Sequence, residues 1–256
     1  MRPHCQQVIS LGYTLGFYNG SVRAAERLIL ALDVADADAA LGWVRRLGPQ
    51  VGLVKVGLEL FVAAGPELVR RVREAGVGVF LDLKLHDIPN TVAGAVRAAA
   101  RLEVQMLTVH AGGGAKMLAA AAAAAGEAGP RAPRLLAVTV LTSLEAADLA
   151  ELGIAGPPAQ RVLAWAGLAQ RQGIGGIVAS AHETAALRQS YPGLTLVIPG
   201  IRPAGAAVGD QARVATPAQA VAAGADYLVL GRAITAAADP EAALEAVTAE
   251  IEGAAP

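Results

Sequence analysis

From residue 28 onward, the sequence repeats one alternation, in which a short aliphatic run is followed by a longer amphipathic segment. The runs carry Val, Ile and Leu at successive positions, which is typical of strands buried on both faces of a parallel sheet. Eight such units in roughly 230 residues predict an α/β fold of the closed (β/α)8 type, a TIM barrel. The eight predicted strands are residues 28–34, 52–57, 78–84, 104–110, 135–141, 175–180, 194–200 and 226–231.

The segments between the predicted strands have helical periodicity, for example residues 59–75, 90–102, 157–172 and 240–251. An open, doubly wound sheet is the competing architecture, because strand counts taken from one sequence are subject to error. The sequence lacks a GxGxxG motif after the first predicted strand, which disfavours a dinucleotide-binding version of that sheet.

No linker-like segment divides the chain after its first residues, so we expect a single barrel domain over residues 27–256. Residues 1–26 lack a compact apolar stretch followed by a cleavage site, which argues against a secretory signal. We expect these residues to form a flexible or loosely docked N-terminal extension.

Composition excludes several classes of protein. The chain has 256 residues, of which 54% are hydrophobic and 17% charged, with a net charge of -1, so neither nucleic acid nor an anionic membrane is an expected partner. The most uniform apolar run, residues 117–126, is too short to span a bilayer. The single cysteine, Cys5, excludes an intrachain disulfide and fits a reducing cytoplasm, where we expect the protein to reside.

Polar residues recur where the predicted strands end. In (β/α)8 barrels, the active site lies at the C-terminal ends of the strands. Because the polar residues repeatedly occupy this one structural position, we expect them to converge on one mouth of the barrel. They are Asp33, Lys55, Asp82, Lys84, His110, Thr142, Ser143, Ser180, Arg202 and Arg232.

The segment FLDLKLHDIPNTV, residues 80–92, places charged residues at the end of the third predicted strand. Asp82 and Lys84 are two residues apart, so they share one face of that strand. With Asp33 and Lys55 from the first two strands, they would form an alternating array in which each charge stabilises its neighbours. These four residues alone are compatible with either a structural ion-pair network or a catalytic array.

Features typical of phosphate binding follow the seventh and eighth predicted strands. Residues 199–217 form a long Gly/Ala/Pro-rich loop that carries Arg202 and Gln211, and loops of this length are often functional lids. Gly231 and Arg232 follow the eighth strand. In barrels these two loops commonly bind phosphate through backbone N–H groups and an arginine. The alternative is a surface loop with incidental arginines. The position of these residues after the seventh and eighth strands favours phosphate binding.

Taken in order, these segments are similar to the motifs of the orotidine 5′-phosphate decarboxylase family, and most similar to its bacterial branch. Each motif alone has limited specificity, whereas the complete set in order is highly specific. The similarity runs from residue 28 to about residue 240. The matching segments are LALDV, LVKVG, FLDLKLHDIPNTV, VTVLTS, PGIRP, GDQ and DYLVLGR.

The resemblance implies that the protein decarboxylates orotidine 5′-monophosphate to UMP without a metal or an organic cofactor. Lys84 would then protonate the carbanion left at C6 of the pyrimidine, and Asp82 would lie near the departing carboxylate. Asp33 and Lys55 would hold the ribose hydroxyls and extend the charged network.

The resemblance also implies a homodimer with its active sites at the subunit interface. Asp87, accompanied by Ile88 and Thr91, would reach into the site of the partner. Thr142 and Ser143 would contact the pyrimidine.

The phosphate-binding set that the resemblance implies is Arg202, Gln211, Gly231 and Arg232, with Gln211 also extending towards the base. The sequence departs from the family pattern at two positions. Leu85 stands where the family often has Phe, and Ile198 stands where many members have Thr. Both changes are expected to adjust packing.

Two other functions remain open at this stage. A related barrel enzyme, a Mg²⁺-dependent decarboxylase or aldolase acting on a sugar phosphate, also uses a DxKxxD element, but it would need a carboxylate-rich metal site. A catalytically silent phosphate-binding barrel is the other alternative. The intact set of Asp82, Lys84 and Asp87 disfavours it, because a protein that only binds its ligand has no need of that set.

Overall fold

The protein is described here by a computed structural model that covers residues 23–203 and 215–254. Within these residues, eight parallel strands form a closed barrel in chain order. The pairing of the first strand with both the second and the eighth closes the barrel. The strands are β1 (Leu28–Ala31), β2 (Leu53–Gly57), β3 (Gly78–Leu85), β4 (Met106–His110), β5 (Arg134–Val138), β6 (Gly176–Val178), β7 (Thr195–Ile198) and β8 (Tyr227–Leu230).

The predicted barrel is confirmed, and all eight strands lie within or next to the predicted ranges. Most of them are shorter than predicted at the C-terminal end; β1 ends at Ala31 and β5 at Val138. The residues that follow lead into the mouth of the barrel, and the first of them can still bond to the next strand, as the backbone N–H of Leu32 does to the backbone oxygen of Lys55 at 3.0 Å. Only β3 extends one residue further than predicted, to Leu85.

Helices follow the strands and cover the outside of the barrel. The helix after β2 contains a kink at Gly65, which has a φ of 67°. The next residue, Pro66, has no backbone N–H and cannot continue the helical hydrogen bonds. The α-helices are α1 (Ala37–Leu47), α2 (Leu58–Glu74), α3 (Pro89–Ala100), α4 (Gly114–Gly126), α5 (Ala146–Glu151), α6 (Pro158–Arg171), α7 (Ala181–Ser190), α8 (Pro217–Ala222), α9 (Arg232–Thr235) and α10 (Pro240–Ala254). None of the helices in the described residues combines the length and apolarity that a membrane crossing requires.

Both faces of the strands are buried, which explains why the sequence runs are almost continuously apolar. One cluster fills the barrel interior and includes Ile29, Phe80, Met106 and Leu136. A second, larger cluster lies between the strands and the helices. Each fully buried Leu, Ile or Phe side chain contributes on the order of 1.5–3 kcal/mol to stability.

The N-terminal end of the barrel is preceded by a short 3-10 helix, Ala24–Arg27, which leads directly into β1. Arg27 donates a hydrogen bond to the backbone oxygen of Ala225, at 3.2 Å, and so ties this helix to the segment before β8. The predicted extension, residues 1–26, lies almost entirely outside the described residues, and its boundary stays a prediction.

Candidate active site

A cavity of about 240 Å³ opens at the C-terminal ends of the strands. Its polar lining contains most of the predicted site residues of the described chain. Its apolar floor is formed by the uppermost layer of the barrel interior. The predicted site residues that line the cavity are Asp33, Lys55, Asp82, Lys84, Thr142, Arg202, Gly231 and Arg232. The apolar lining residues include Ala31, Phe80, Val138, Val178 and Val229.

Four charged side chains, from β2, β3 and the segment after β1, form a continuous array on one side of this cavity. The Nζ atom of Lys55 lies 3.1 Å from Oδ1 of Asp33 and 3.9 Å from Oδ2 of Asp82. The Nζ atom of Lys84 lies 2.9 Å from that same Oδ2 atom. The predicted alternation of carboxylates and ammonium groups is therefore present in the structure.

The array is buried in its middle and open at its ends. The side chains of Lys55 and Asp82 are each 13% exposed, whereas those of Lys84 and Asp33 are 40% and 57% exposed. A charge withdrawn from water requires a partner of opposite sign, and the two central residues supply this for each other. Lys84 and Asp33 retain surface that a ligand in the cavity can contact.

The conformation of β3 determines how Asp82 and Lys84 enter the cavity. In the pairing with β4, Leu81 is opposite Leu107 and Leu85 is opposite Val109, so three residues of β3 face one residue of β4. Such a bulge adds an even number of residues and preserves the alternation of faces. Asp82 and Lys84 therefore both point inward, as their spacing predicted. Lys84 has a φ of 51°, in the left-handed region that residues with a Cβ rarely adopt.

The single β4 residue opposite this bulge is Thr108, which the sequence analysis missed. Its hydroxyl accepts a hydrogen bond from the backbone N–H of Lys84 at 2.8 Å and donates one to Oδ1 of Asp82 at 3.0 Å. The side chain is completely buried. A lone threonine in an apolar strand carries no chemical signal by itself; only its spacing of two residues from Met106, which faces the barrel interior, could have indicated it.

Two glycines lie next to the array, and only at the first of them would a Cβ atom be crowded. A Cβ atom at Gly57, the last residue of β2, would lie 3.1 Å from Nζ of Lys55. A Cβ atom at Gly231, directly after β8, would lie 3.4 Å from Oδ2 of Asp33. A Cβ atom at Gly57 would require the Lys55 ammonium to shift by a few tenths of an ångström, whereas one at Gly231 would make an ordinary van der Waals contact.

Some of the residues predicted to bind the phosphate and the base line the cavity, and others do not. Gly231 and Arg232 line it where α9 begins, and Arg202 lines it next to Ile201, which pairs with Ala215. Thr142 lines the cavity, whereas Ser143 is exposed and is not among the lining residues. Gln211 lies outside the described residues. The roles predicted for these residues remain predictions.

Asp87, Ile88 and Thr91 do not line the cavity of their own chain. They lie at and just after the turn between β3 and α3, where Oδ1 of Asp87 accepts the backbone N–H of Ile88 at 2.6 Å. The side chain of Ile88 is 68% exposed. This outward position is the one that a contribution to a neighbouring subunit would require.

A smaller cavity of about 110 Å³ adjoins the charged array from the side of α2. The array residues Asp33, Lys55, Asp82 and Lys84 line it together with the first residues of α2. One of these, Leu58, is a large apolar residue with 57% of its surface exposed. The charged array can therefore be reached from two sides.

A histidine pair lies beside the array. The rings of His86 and His110 are stacked at 5.1 Å with an interplanar angle of 6°, and Trp165 meets His110 edge-on at 6.0 Å. Burial lowers the pKa of His110 below its ordinary value of 6.5, and the nearby charges of His86 and Lys84 lower it further. Because Nδ1 of His110 accepts the backbone N–H of Gly112 at 3.1 Å, the proton of the neutral ring is assigned to Nε2.

No group of three or more His, Cys, Asp or Glu side chains in residues 23–203 and 215–254 is arranged to hold a metal ion. The two carboxylates of the main cavity are each paired with a lysine ammonium instead. Such an arrangement can stabilise negative charge that develops on a bound molecule and can supply a proton to it.

The chain is similar to known proteins over most of its length. Residues 26–247 match the orotidine 5′-phosphate decarboxylase / HUMPS family. The orotidine 5′-phosphate decarboxylase of Halorhodospira halophila is 56% identical over 235 residues, which cover 91% of this chain and 99% of that protein. The enzyme of the same name from Anaeromyxobacter sp. (strain K) is 56% identical over 229 residues, covering 89% of this chain and 99% of that protein.

A similar solved structure is the crystal structure of orotidine 5′-phosphate decarboxylase from Lactobacillus acidophilus. Its TM-score is 0.78 with 37% sequence identity, and the match covers 88% of this chain and 98% of that chain. The family match extends across all eight strands, from β1 to β8, and therefore includes every element that lines the cavity.

Proposed function

The chain belongs to the orotidine 5′-phosphate decarboxylase / HUMPS family, and from this premise we propose that it converts orotidine 5′-monophosphate to UMP and CO₂. It is then a carbon–carbon lyase of UMP biosynthesis. The observation that carries the proposal within the site is the pairing of Lys84 with Asp82, at 2.9 Å, on the wall of a cavity at the mouth of the barrel.

The chemistry begins with cleavage of the bond between C6 of the pyrimidine and its carboxylate. The electron pair of this bond stays on C6 while CO₂ departs, and the ring cannot easily delocalise the resulting negative charge. An ammonium group held beside C6 lowers the energy of that charge. Lys84 then donates a proton from Nζ to C6, which forms UMP and leaves a neutral amine to be protonated from solvent.

Asp82 and Lys55 organise the ammonium of Lys84 in this scheme. Asp82 lies beside Lys84 and, in the proposal, close to the departing carboxylate of the substrate. Lys55 bridges Asp82 and Asp33. Lys55 and Asp33 bind the ribose hydroxyls, for which the exposed surface of Asp33 is available.

The remaining lining residues serve the parts of the substrate that do not react. Arg202, Gly231 and Arg232 bind the phosphate, together with Gln211. Thr142 and Ser143 contact the pyrimidine. Contacts to a remote phosphate can supply binding energy that organises the charged array around the base. No metal or organic cofactor takes part in the proposed reaction.

The proposed active form is a homodimer in which each subunit completes the site of the other. Asp87, Ile88 and Thr91 lie outside the cavity of their own chain, on the same end of the barrel as the charged array. The large exposed apolar side chains at this end include Leu58, Val62 and Ile88, which are 57%, 75% and 68% exposed. Exposed apolar side chains on neighbouring elements are typical of a surface covered by a protein partner. The partner's Asp87 would then approach the array through the smaller cavity.

A cytoplasmic location belongs to the same proposal, because a single cysteine suits a reducing compartment. The expected partners are the nucleotide substrate and a second copy of the chain, with no role for nucleic acid or membrane.

The test is decarboxylation of orotidine 5′-monophosphate by the purified protein, followed by absorbance with and without a metal chelator. We expect turnover to UMP at the same rate in both conditions. Absence of turnover would refute the proposal. Activity that disappears with the chelator and returns with Mg²⁺ would indicate a metal-dependent enzyme instead, and tight UMP binding without turnover would indicate a silent binder.

A further inference from the structure

Thr108, Asp82 and Lys84 form a closed ring of hydrogen bonds behind the cavity wall. The Thr108 hydroxyl accepts the backbone N–H of Lys84 at 2.8 Å and donates to Oδ1 of Asp82 at 3.0 Å. The other carboxylate oxygen, Oδ2, accepts the ammonium of Lys84 at 2.9 Å. Lys84 is therefore held at both its backbone and its side-chain end, and Asp82 is held through both oxygens.

The position of Lys84 in the bulge makes the backbone contact necessary. Three residues of β3, from Asp82 to Lys84, span the distance that β4 covers with Thr108 alone. The φ of 51° at Lys84 departs from strand geometry, so its N–H points to the Thr108 hydroxyl. A left-handed conformation at a residue with a Cβ persists only where its surroundings impose it, and here Thr108 supplies that restraint.

The same hydroxyl determines the orientation of the Asp82 carboxylate. By donating to Oδ1, Thr108 turns Oδ2 towards the two ammonium groups, at 2.9 Å from Lys84 and 3.9 Å from Lys55. A hydroxyl has one proton to donate, and the accepted N–H of Lys84 leaves that proton for Asp82. One buried oxygen atom thus orders both charged groups of β3.

We propose that Thr108 is a positioning residue for decarboxylation, acting through Asp82 and Lys84. Thr108 does not line the cavity, so in the proposed complex it would touch neither the substrate nor the reacting atoms. Its effect is to keep the ammonium and the carboxylate in the one arrangement that the bulge allows. This inference rests on the proposed decarboxylase function.

The test begins with Thr108→Val, which keeps the shape of the side chain and removes the hydroxyl. The variant leaves the Lys84 N–H and Oδ1 of Asp82 without this partner, so we expect kcat to fall about tenfold or more. KM for orotidine 5′-monophosphate should stay within about twofold, because the contacts to ribose and phosphate are unchanged. Thr108→Ser restores the hydroxyl and should recover most of the lost kcat.

Thr139→Val is a matched control, because Thr139 is also a completely buried threonine on the neighbouring chain segment after β5. Its hydroxyl donates to the backbone oxygen of Val178 at 3.2 Å and has no contact with the charged array. Loss of this hydroxyl should lower the unfolding temperature to a similar degree as Thr108→Val, while kcat stays close to that of the unaltered protein.

If Thr108→Val fails to fold, the pair Thr108→Ala and Thr108→Ser replaces it, because these two side chains differ only in the hydroxyl oxygen. A kcat that is equal in the two folded variants, or a kcat that falls equally in Thr139→Val, would overturn the inference. Because the unaltered protein is assayed in parallel, its inactivity would refute the decarboxylase proposal, whereas an active protein with an unaffected Thr108→Val variant would refute only the positioning role.

Discussion

The ammonium of Lys84 lies 2.9 Å from Oδ2 of Asp82, although the two residues belong to one strand and are separated by a single residue. In a regular strand their side chains would project in parallel. The bulge of β3 and the left-handed conformation of Lys84 bring the two charged groups together over the cavity. This contact is the basis of the predictions for catalysis.

Replacement of Lys84 by alanine should abolish measurable UMP formation. The change removes both the proton donor and the charge that stabilises the carbanion, for which a loss on the order of 10⁴-fold or more in kcat is expected. Absorbance-monitored turnover measures the loss, and calorimetry with UMP should show that nucleotide binding persists. Lys116→Ala, at an exposed position of α4, is the control. Turnover near that of the unaltered protein in Lys84→Ala would rule out the proposed proton donor.

Mixing Asp87→Ala with Lys84→Ala subunits should restore activity that neither variant has alone. A hybrid dimer contains one site with an intact Lys84 and an intact Asp87 from the partner. After complete subunit exchange, half of the dimers are hybrids with one working site of two, so about a quarter of the full activity is expected.

The control for this experiment is a mixture of Asp82→Ala with Lys84→Ala. Both residues belong to the same side of each site, so no hybrid regains a complete site and the mixture should stay inactive. If exchange is demonstrated and the Asp87→Ala mixture also stays inactive, the shared active site is wrong.

Removal of the Arg232 guanidinium should affect only substrates that carry a phosphate. We expect Arg232→Ala to reduce kcat/KM for orotidine 5′-monophosphate roughly ten- to hundredfold, the range for a hydrogen bond to a charged group. The slow decarboxylation of orotidine, which lacks the phosphate, should be unchanged. Arg101→Ala, at an exposed position after α3, controls for loss of an arginine in general. An equal decrease for both substrates would argue against phosphate binding by Arg232.

Stability should decrease below neutral pH partly because of His110. Its pKa in the folded protein lies below the ordinary 6.5, so the unfolded chain binds a proton first as the pH falls. The contribution of neutral His110 to the free energy of unfolding is therefore complete above pH 6.5. It is lost as the pH falls from 6.5 towards the pKa of the folded protein, and the free energy of unfolding then decreases by at most about 1.4 kcal/mol per pH unit.

Urea unfolding at several pH values between about 7.5 and 5.5 measures this effect. His110→Gln should show a smaller pH dependence than the unaltered protein, whatever its stability at neutral pH. His182→Gln, at an exposed position of α7, should keep the original dependence. An unchanged slope in His110→Gln would mean that other groups cause the acid sensitivity.

Several features of the fold could be predicted because they depend on local patterns. Runs that are apolar on both faces require cover on both faces, and a closed barrel surrounded by helices supplies it. The shared face of Asp82 and Lys84 follows from the two-residue period of a strand, and the two extra residues of the bulge do not disturb it. The positions of Arg202 and Arg232 at the mouth follow from their place after β7 and β8.

Other features could not be predicted because they depend on pairing between strands. The hydrogen bonds of Thr108 to Lys84 and Asp82 depend on a register shift that no periodic pattern in β3 or β4 predicts. The stacking of His86 on His110 depends on how closely the C-terminal ends of β3 and β4 approach each other. Ser143 follows Thr142 in the sequence, yet only Thr142 lines the cavity.

By itself, the sequence favoured the barrel and indicated the end at which the charged residues gather. These properties follow from hydrophobic periodicity and from the rule that parallel strands end at a common edge. Only the tertiary structure decided which atoms meet there: that Oδ2 of Asp82 faces two lysines, and that Thr108 holds Asp82 and Lys84 from behind. The reason is physical, since a hydrogen bond depends on tenths of an ångström and on the register between strands, whereas a sequence pattern specifies only the face on which a residue lies.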